Sequence, residues 1–353
     1  MKKAIITAGL AAALLTFSAC GAQPSAAPPA VQSSSQQETA SESYQTDVFA
    51  MDTYMTFLAN GDDAEAAVGA AVEKVQQLEK ALSAVDESSE VAKINEGSGS
   101  AVAVSDETFA IVEKAMAVAQ ETDGAFDITV YPAVRAWGFT TESYHVPDQS
   151  TIDSLLPLVG PEHVQLDAAS DSVRLTKGTQ IDLGGIAKGY AGREAANLMR
   201  EMGIKSALLN MGGNVQTIGS KTDGSPWRVA IRDPENEAEY AGYVDVADKA
   251  VVTSGGYERF FEENGHTYHH IIDPATGYPA DNGILSTTVV GDDGELCDAY
   301  STTLFVMGPE KARAFLEQHK EIGAIIITKD KGVYVSPGLT EQFTALGSYH
   351  IEA

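Results

Sequence analysis

Hydrophobic positions change period along this chain, from extended runs to helical spacing and back. Val48 to Phe57 reads as one strand, and Val68, Val72, Val75, Leu78 and Leu82 then recur at helical spacing. Ser105 is placed to cap a second helix with Phe109, Val112, Ala115, Met116 and Ala119 on one face. A third amphipathic helix is predicted from Ile186 to Met202. Short strands broken by glycines follow at Ala207–Leu209, Trp227–Ile231, Tyr243–Val246 and Val251–Thr253. A helix starting near Asp298, a second started by Pro309, and two strands at Ala324–Thr328 and Gly332–Val335 complete the pattern. Strands and helices do not alternate strictly, so the expected class is α+β with mixed or antiparallel sheets and packed helices.

The N-terminus breaks this pattern. Lys2 and Lys3 precede an apolar run from Ala4 to about Phe17, and Ser18-Ala19-Cys20-Gly21 follows. The run is short for a bilayer span, and its charged start and small-residue end read as a secretory signal. A cysteine after two small residues matches a bacterial lipoprotein signal, so Cys20 is the expected lipidation site. Residues 21–46 are mostly Ser, Ala, Gln, Pro and Glu, a composition too poor in apolar surface to fold, and read as a disordered tether. The folded domain is expected over residues 47–353. A lipid-anchored protein on the extracytoplasmic face of the cell membrane follows as the expected location.

Charge narrows the partners. Acidic residues outnumber basic ones 50 to 23, for a formal charge of −27, which leaves little to neutralise a row of nucleic-acid phosphates. Cys20 and Cys297 are the only cysteines, and with Cys20 lipidated no intramolecular disulfide is open to Cys297.

Four stretches place polar residues beside glycines. In Ile181-Asp182-Leu183-Gly184-Gly185-Ile186-Ala187-Lys188-Gly189, a short strand is expected to run through a glycine turn into a helix N-terminus. Exposed N–H groups and the helix dipole there suit a phosphate, with Lys188 as a point charge; a plain turn with a solvated Lys188 is the alternative. Asp298 and Thr302 lie four apart on one helix face, a hard oxygen pair suited to Mg²⁺ unless Asp298 only caps the helix. The adjacent His269 and His270 point to opposite faces of a strand, and no zinc spacing accompanies them. One of them near a phosphate is a candidate general base; the alternative is a cross-strand polar residue. Finally, Phe126 and Asp127 in Gly124-Ala125-Phe126-Asp127-Ile128 could offer a stacking face and an acceptor to a heteroaromatic ring, or belong to an inward-packed strand.

In this order and spacing the four stretches resemble the ApbE family, Mg²⁺-dependent FAD:protein FMN transferases. The resemblance runs from Met51-Asp52-Thr53 to about Met307-Gly308. It takes in Leu82-Ser83, Ser89 to Asn95, Asn210-Met211-Gly212-Gly213-Asn214 and Thr253-Ser254-Gly255-Gly256-Tyr257-Glu258-Arg259. It implies Mg²⁺ held by the Gly185 carbonyl, Asp298 and Thr302, and flavin and phosphate contacts from Met51, Ala125, Phe126, Asp127, Asp182, Lys188 and Ile272. It implies His270 as base, with Asp298 and Lys188 beside it as catalytic groups. FAD would be the substrate, and the acceptor a Thr or Ser hydroxyl of an exported FMN-binding protein. The products would be AMP and a phosphoester-linked flavin, a post-translational flavinylation. Val85 stands where many members carry a ring-contacting residue, and Asp52 where a glycine is more usual. An FAD pyrophosphatase and a non-enzymatic flavin-binding lipoprotein are the alternative functions.

Overall fold

The computed structural model of the chain describes residues 42–141 and 143–352. The signal segment, Cys20 and most of the tether therefore lie outside the described residues. The remainder forms one compact unit built on a nine-stranded sheet whose spatial order is its chain order. Its strands are β1 (Ser43–Ala50), β2 (Thr53–Asn60), β3 (Ser206–Asn210), β4 (Asn214–Ile218), β5 (Ala250–Gly255), β6 (Ile284–Gly291), β7 (Gly323–Thr328), β8 (Gly332–Val335) and β9 (His350–Ile351). Every neighbouring pair is antiparallel except β8 and β9, as the α+β reading requires.

The period-2 alternation of these strands sorts their side chains into two cores. Val252, Val289 and Ile326 face the larger core with the helices. Val251, Val290, Ile325 and Ile327 face the other side, where a small sheet of Trp227–Asp233, Asn236–Val246 and Phe343–Ala345 covers them. On the helical side lie α1 (Ala64–Leu82), α2 (Asp106–Glu121), α3 (Ala187–Glu201), α4 (Gly294–Met307) and α5 (Pro309–Gln318). Ser105 caps α2 by accepting from the Thr108 N–H, as its position predicts.

Four local expectations change. Val48 to Phe57 is a hairpin, not one strand: Met51 and Asp52 both take positive φ, 48° and 58°, and form the two-residue turn between β1 and β2. Asp52 is of a type that tolerates such a turn, but Met51 is not. The left-handed backbone costs roughly 1–2 kcal/mol per residue, which the ladder and a bond from the Met51 N–H to Glu79 Oε1 at 2.6 Å offset. The sheet also begins at Ser43, so the last residues of the expected tether pair with Phe57–Asn60. Ile181–Leu183 is not a strand: Asn95 replaces a neighbouring strand by bonding both the N–H and the C=O of Ile181. The residues after Asp127 are a 3₁₀ turn and the short helix Tyr131–Ala136, rather than a strand.

Candidate active site

A cavity of about 1190 Å³ opens beside the N-terminus of α3 and the middle of α4. All eleven binding, catalytic and metal residues expected from the sequence line it: Met51, Ala125, Phe126, Asp127, Asp182, Gly185, Lys188, His270, Ile272, Asp298 and Thr302. They come from the β1–β2 turn, the loop after α2, the α3 entry, the segment after His266–His269, and α4.

The junction of α3 and α4 is built from the backbone outward. Ile186, at the N-cap of α3, has no side chain able to cap the free N–H groups of the first turn. Asp298 supplies that cap from the neighbouring helix: its Oδ2 accepts from the Gly189 N–H at 2.8 Å. This contact exists only because residue 189 is glycine, since a Cβ there would sit 2.2 Å from the Gly294 carbonyl oxygen and 2.6 Å from Asp298 Cβ. Asp298 does not cap its own helix, a task performed by Asp293. One carboxylate oxygen is thus fixed by α3 and the residue lines the cavity. Thr302 follows one turn later, its Oγ1 3.2 Å from Ser254 Oγ. Gly185 is close by, for a Cβ built on it would lie 3.6 Å from Thr302 Oγ1.

Burial sets the charge states. Asp298 is 5% exposed, and desolvation pushes its carboxyl up to about 6 against the pull of Lys188 and the Gly189 N–H. Desolvation likewise raises Asp182, whose Oδ1 accepts from the Gly184 N–H. Asp127 is also raised by burial, but its Oδ1 is taken by the N–H and hydroxyl of Thr129. It therefore caps the 3₁₀ turn while lining the cavity.

The two histidines separate, but not by alternation along one strand, because the strand ends at His269 and His270 follows it. His269 Nε2 lies 3.1 Å from the Ala280 carbonyl, with its ring edge-on to Phe305. His270 lines the cavity, and its Nδ1 lies 3.2 Å from the Arg259 carbonyl. A carbonyl only accepts, so Nδ1 carries the proton and Nε2 keeps its lone pair. Burial, then the positive charge of Arg259, hold the imidazole well below its ordinary value, hence neutral at pH 7.

Oxygen donors dominate the metal chemistry available. No group of three or more His, Cys, Asp or Glu side chains is placed to hold a metal among the described residues. One carboxylate, one hydroxyl and one carbonyl form a set that suits a hard cation completed by water and phosphate oxygens, not zinc. Sequence reasoning gave no individual role to Ser254, Tyr257, Glu258 and Arg259, all of which line the same cavity. The glycine pair Gly255-Gly256 within their segment was the available signal. Val85, 63% exposed, also lines the cavity.

Cavity size, a helix N-terminus, hard oxygen donors and a neutral histidine together define an α+β enzyme site for a large phosphate-bearing ligand. The ApbE family model matches residues 51–326, and the chain belongs to that family. It is 35% identical over 287 residues to a FAD:protein FMN transferase of Klebsiella pneumoniae (strain 342), covering 80% of this chain and 89% of that protein. It is 36% identical over 301 residues to one of Treponema pallidum (strain Nichols), with coverage of 80% and 83%. Among solved structures, the ApbE protein of Thermotoga maritima superposes with a TM-score of 0.80 at 33% identity, covering 84% of this chain and 98% of that one. The apo flavinyl transferase ApbE of Pseudomonas stutzeri gives 0.74 at 29% identity, covering 82% and 92%.

Proposed function

We propose that this protein transfers FMN from FAD to a threonine or serine hydroxyl of an exported acceptor protein, using Mg²⁺ and releasing AMP. The observation that carries the reading is the convergence of the eleven expected residues on one cavity; the names of the relatives support it. Gly185, Asp298 and Thr302 would hold the cation. Mg²⁺, when bound, supplies positive charge to the pyrophosphate as its bridging bond breaks.

The chain's own residues do the rest. The acceptor oxygen forms a bond to the FMN phosphorus, its proton passes to His270 Nε2, and the bond from that phosphorus to the AMP phosphate oxygen breaks with AMP leaving. His270 suits this because its Nε2 is unprotonated and its ring is held from the far side by the Arg259 carbonyl. Lys188 and the first turn of α3 bring positive potential to the phosphates. The isoalloxazine would lie among Met51, Ala125, Phe126, Asp127, Asp182 and Ile272. Cys20 would carry the lipid that keeps the enzyme on the extracytoplasmic face of the membrane. No helix of the described residues is long and apolar enough to cross a membrane.

The test is the intact mass of an exported FMN-binding domain after incubation with FAD and residues 41–353, with and without EDTA. A Mg²⁺-dependent gain of FMN less one water is expected. FMN and AMP free in solution, with no gain in acceptor mass, would point to a pyrophosphatase. FAD bound but intact would leave only a flavin carrier.

A further inference from the structure

Lys188, Arg232 and Arg259 line the cavity. None of the three has an ion-pair partner among the described residues, while Arg228 on the same wall pairs with Asp245. Cavity cations without partners are notable in a chain of net charge −27. Arg259 differs from the other two in its connection to the histidine. Its carbonyl accepts the His270 backbone N–H at 3.1 Å and fixes the ring at Nδ1. The segment leading to it is pressed into place: a Cβ on Gly255 would lie 2.3 Å from the Tyr257 ring, and one on Gly256 would lie 2.7 Å from His269.

We infer that Arg259 is a catalytic residue of the transfer, its guanidinium taking a phosphate oxygen of the FAD pyrophosphate while its carbonyl orients His270. This assignment rests on the transferase reading given above. The guanidinium offers paired donors that match two phosphate oxygens, which Lys188 as a point charge does not. It acts at the bond that breaks, and the same residue aligns the base that accepts the proton. Glu258 and Asp182 also line the cavity and feel Arg259, but neither lies within ion-pairing distance of it. The guanidinium is therefore left for the substrate. Around His270 the charged or titratable groups are Arg259, His269 and Lys188. Removing the Arg259 charge should let the imidazole protonate at higher pH.

The experiment compares Arg259→Gln and Arg259→Lys with the wild-type enzyme, using acceptor mass for rate and flavin fluorescence for binding. Both variants keep the backbone carbonyl that holds His270. Arg259→Gln should lower kcat/KM for FAD about 100-fold and weaken competition by ADP. It should leave riboflavin affinity unchanged, because riboflavin has no phosphate. The acid limb of its pH–rate profile should move to higher pH, and Arg259→Lys should restore the limb with only part of the rate. Equal loss of riboflavin and FAD affinity would mean a structural residue and overturn the assignment. So would an unchanged kcat/KM or an unmoved acid limb. If the wild-type enzyme transfers no FMN, the transferase reading fails instead, and the two failures are distinct.

Discussion

Replacing Asp298 by asparagine should make the protein more stable at neutral pH and inactive. The carboxyl is buried, and its value in the fold is about 6 against 3.8 in the unfolded chain. A carboxylate raised in this way binds a proton more tightly folded than unfolded, so its contribution is most favourable below pH 4. That contribution is lost as pH rises from 3.8 to about 6. At 1.36 kcal/mol per pH unit the ionised group costs about 3 kcal/mol above that window. Asparagine carries no charge and its Oδ1 can still accept the Gly189 N–H that Asp298 accepts at 2.8 Å. The cap therefore survives while the penalty disappears. Denaturant unfolding without metal should show the variant more stable than wild type by up to about 3 kcal/mol at pH 8, and nearly equal to it at pH 4. Mg²⁺ should then stabilise the wild type, by about 2.7 kcal/mol at a hundred times its Kd, and leave the variant unmoved. Transfer to the acceptor should fall at least 100-fold. A variant that gains as much from Mg²⁺ as the wild type, or that becomes less stable relative to it as pH rises, would refute the argument that this carboxylate is a buried charge awaiting a cation.

Other outcomes follow from the same geometry. His270→Ala should slow transfer about 100-fold or more with little change in FAD affinity; equal losses in both would make His270 a structural residue. The wild-type rate should fall on acidification as the His270 ring protonates, and that limb should lie below pH 6.5 because burial and Arg259 depress it. Lys188→Ala should raise the FAD concentration required for half-maximal rate; an unchanged requirement would remove Lys188 from the phosphate cradle. Gly189→Ala places a methyl group 2.2 Å from the Gly294 oxygen. Overpacking of that kind costs about 1–3 kcal/mol, so the melting temperature should fall and activity with it.

Signals that act within a few residues were legible in advance. Ser105 could cap only the helix that follows it, Pro309 could only start one, and apolar spacing placed α2 and α3 within a residue or two, while α1 begins four residues before Val68, the first position of its apolar pattern. Asp298 and Thr302 had to share a helix face because they are four apart. The family resemblance then assigned roles to individual side chains, and the fold places each of them on one cavity. Composition alone would not have done so, since phosphate-binding turns and capping carboxylates look alike in a linear string.

What the tertiary structure alone decided involves partners far apart in the chain. The β1–β2 turn carries no glycine or asparagine, and its backbone is held in part by Glu79, 28 residues on. Ile181 has the composition of a strand, but its backbone partner is the Asn95 side chain. Asp298 caps a helix by accepting from the Gly189 N–H, 109 residues before its own position, and only a glycine at 189 lets the two helices approach closely enough. Local propensity reports the energy of a residue with its neighbours three or four positions away. A buried carboxylate, a tautomer and a cavity depend on distances between segments, which exist only once the chain has closed on itself.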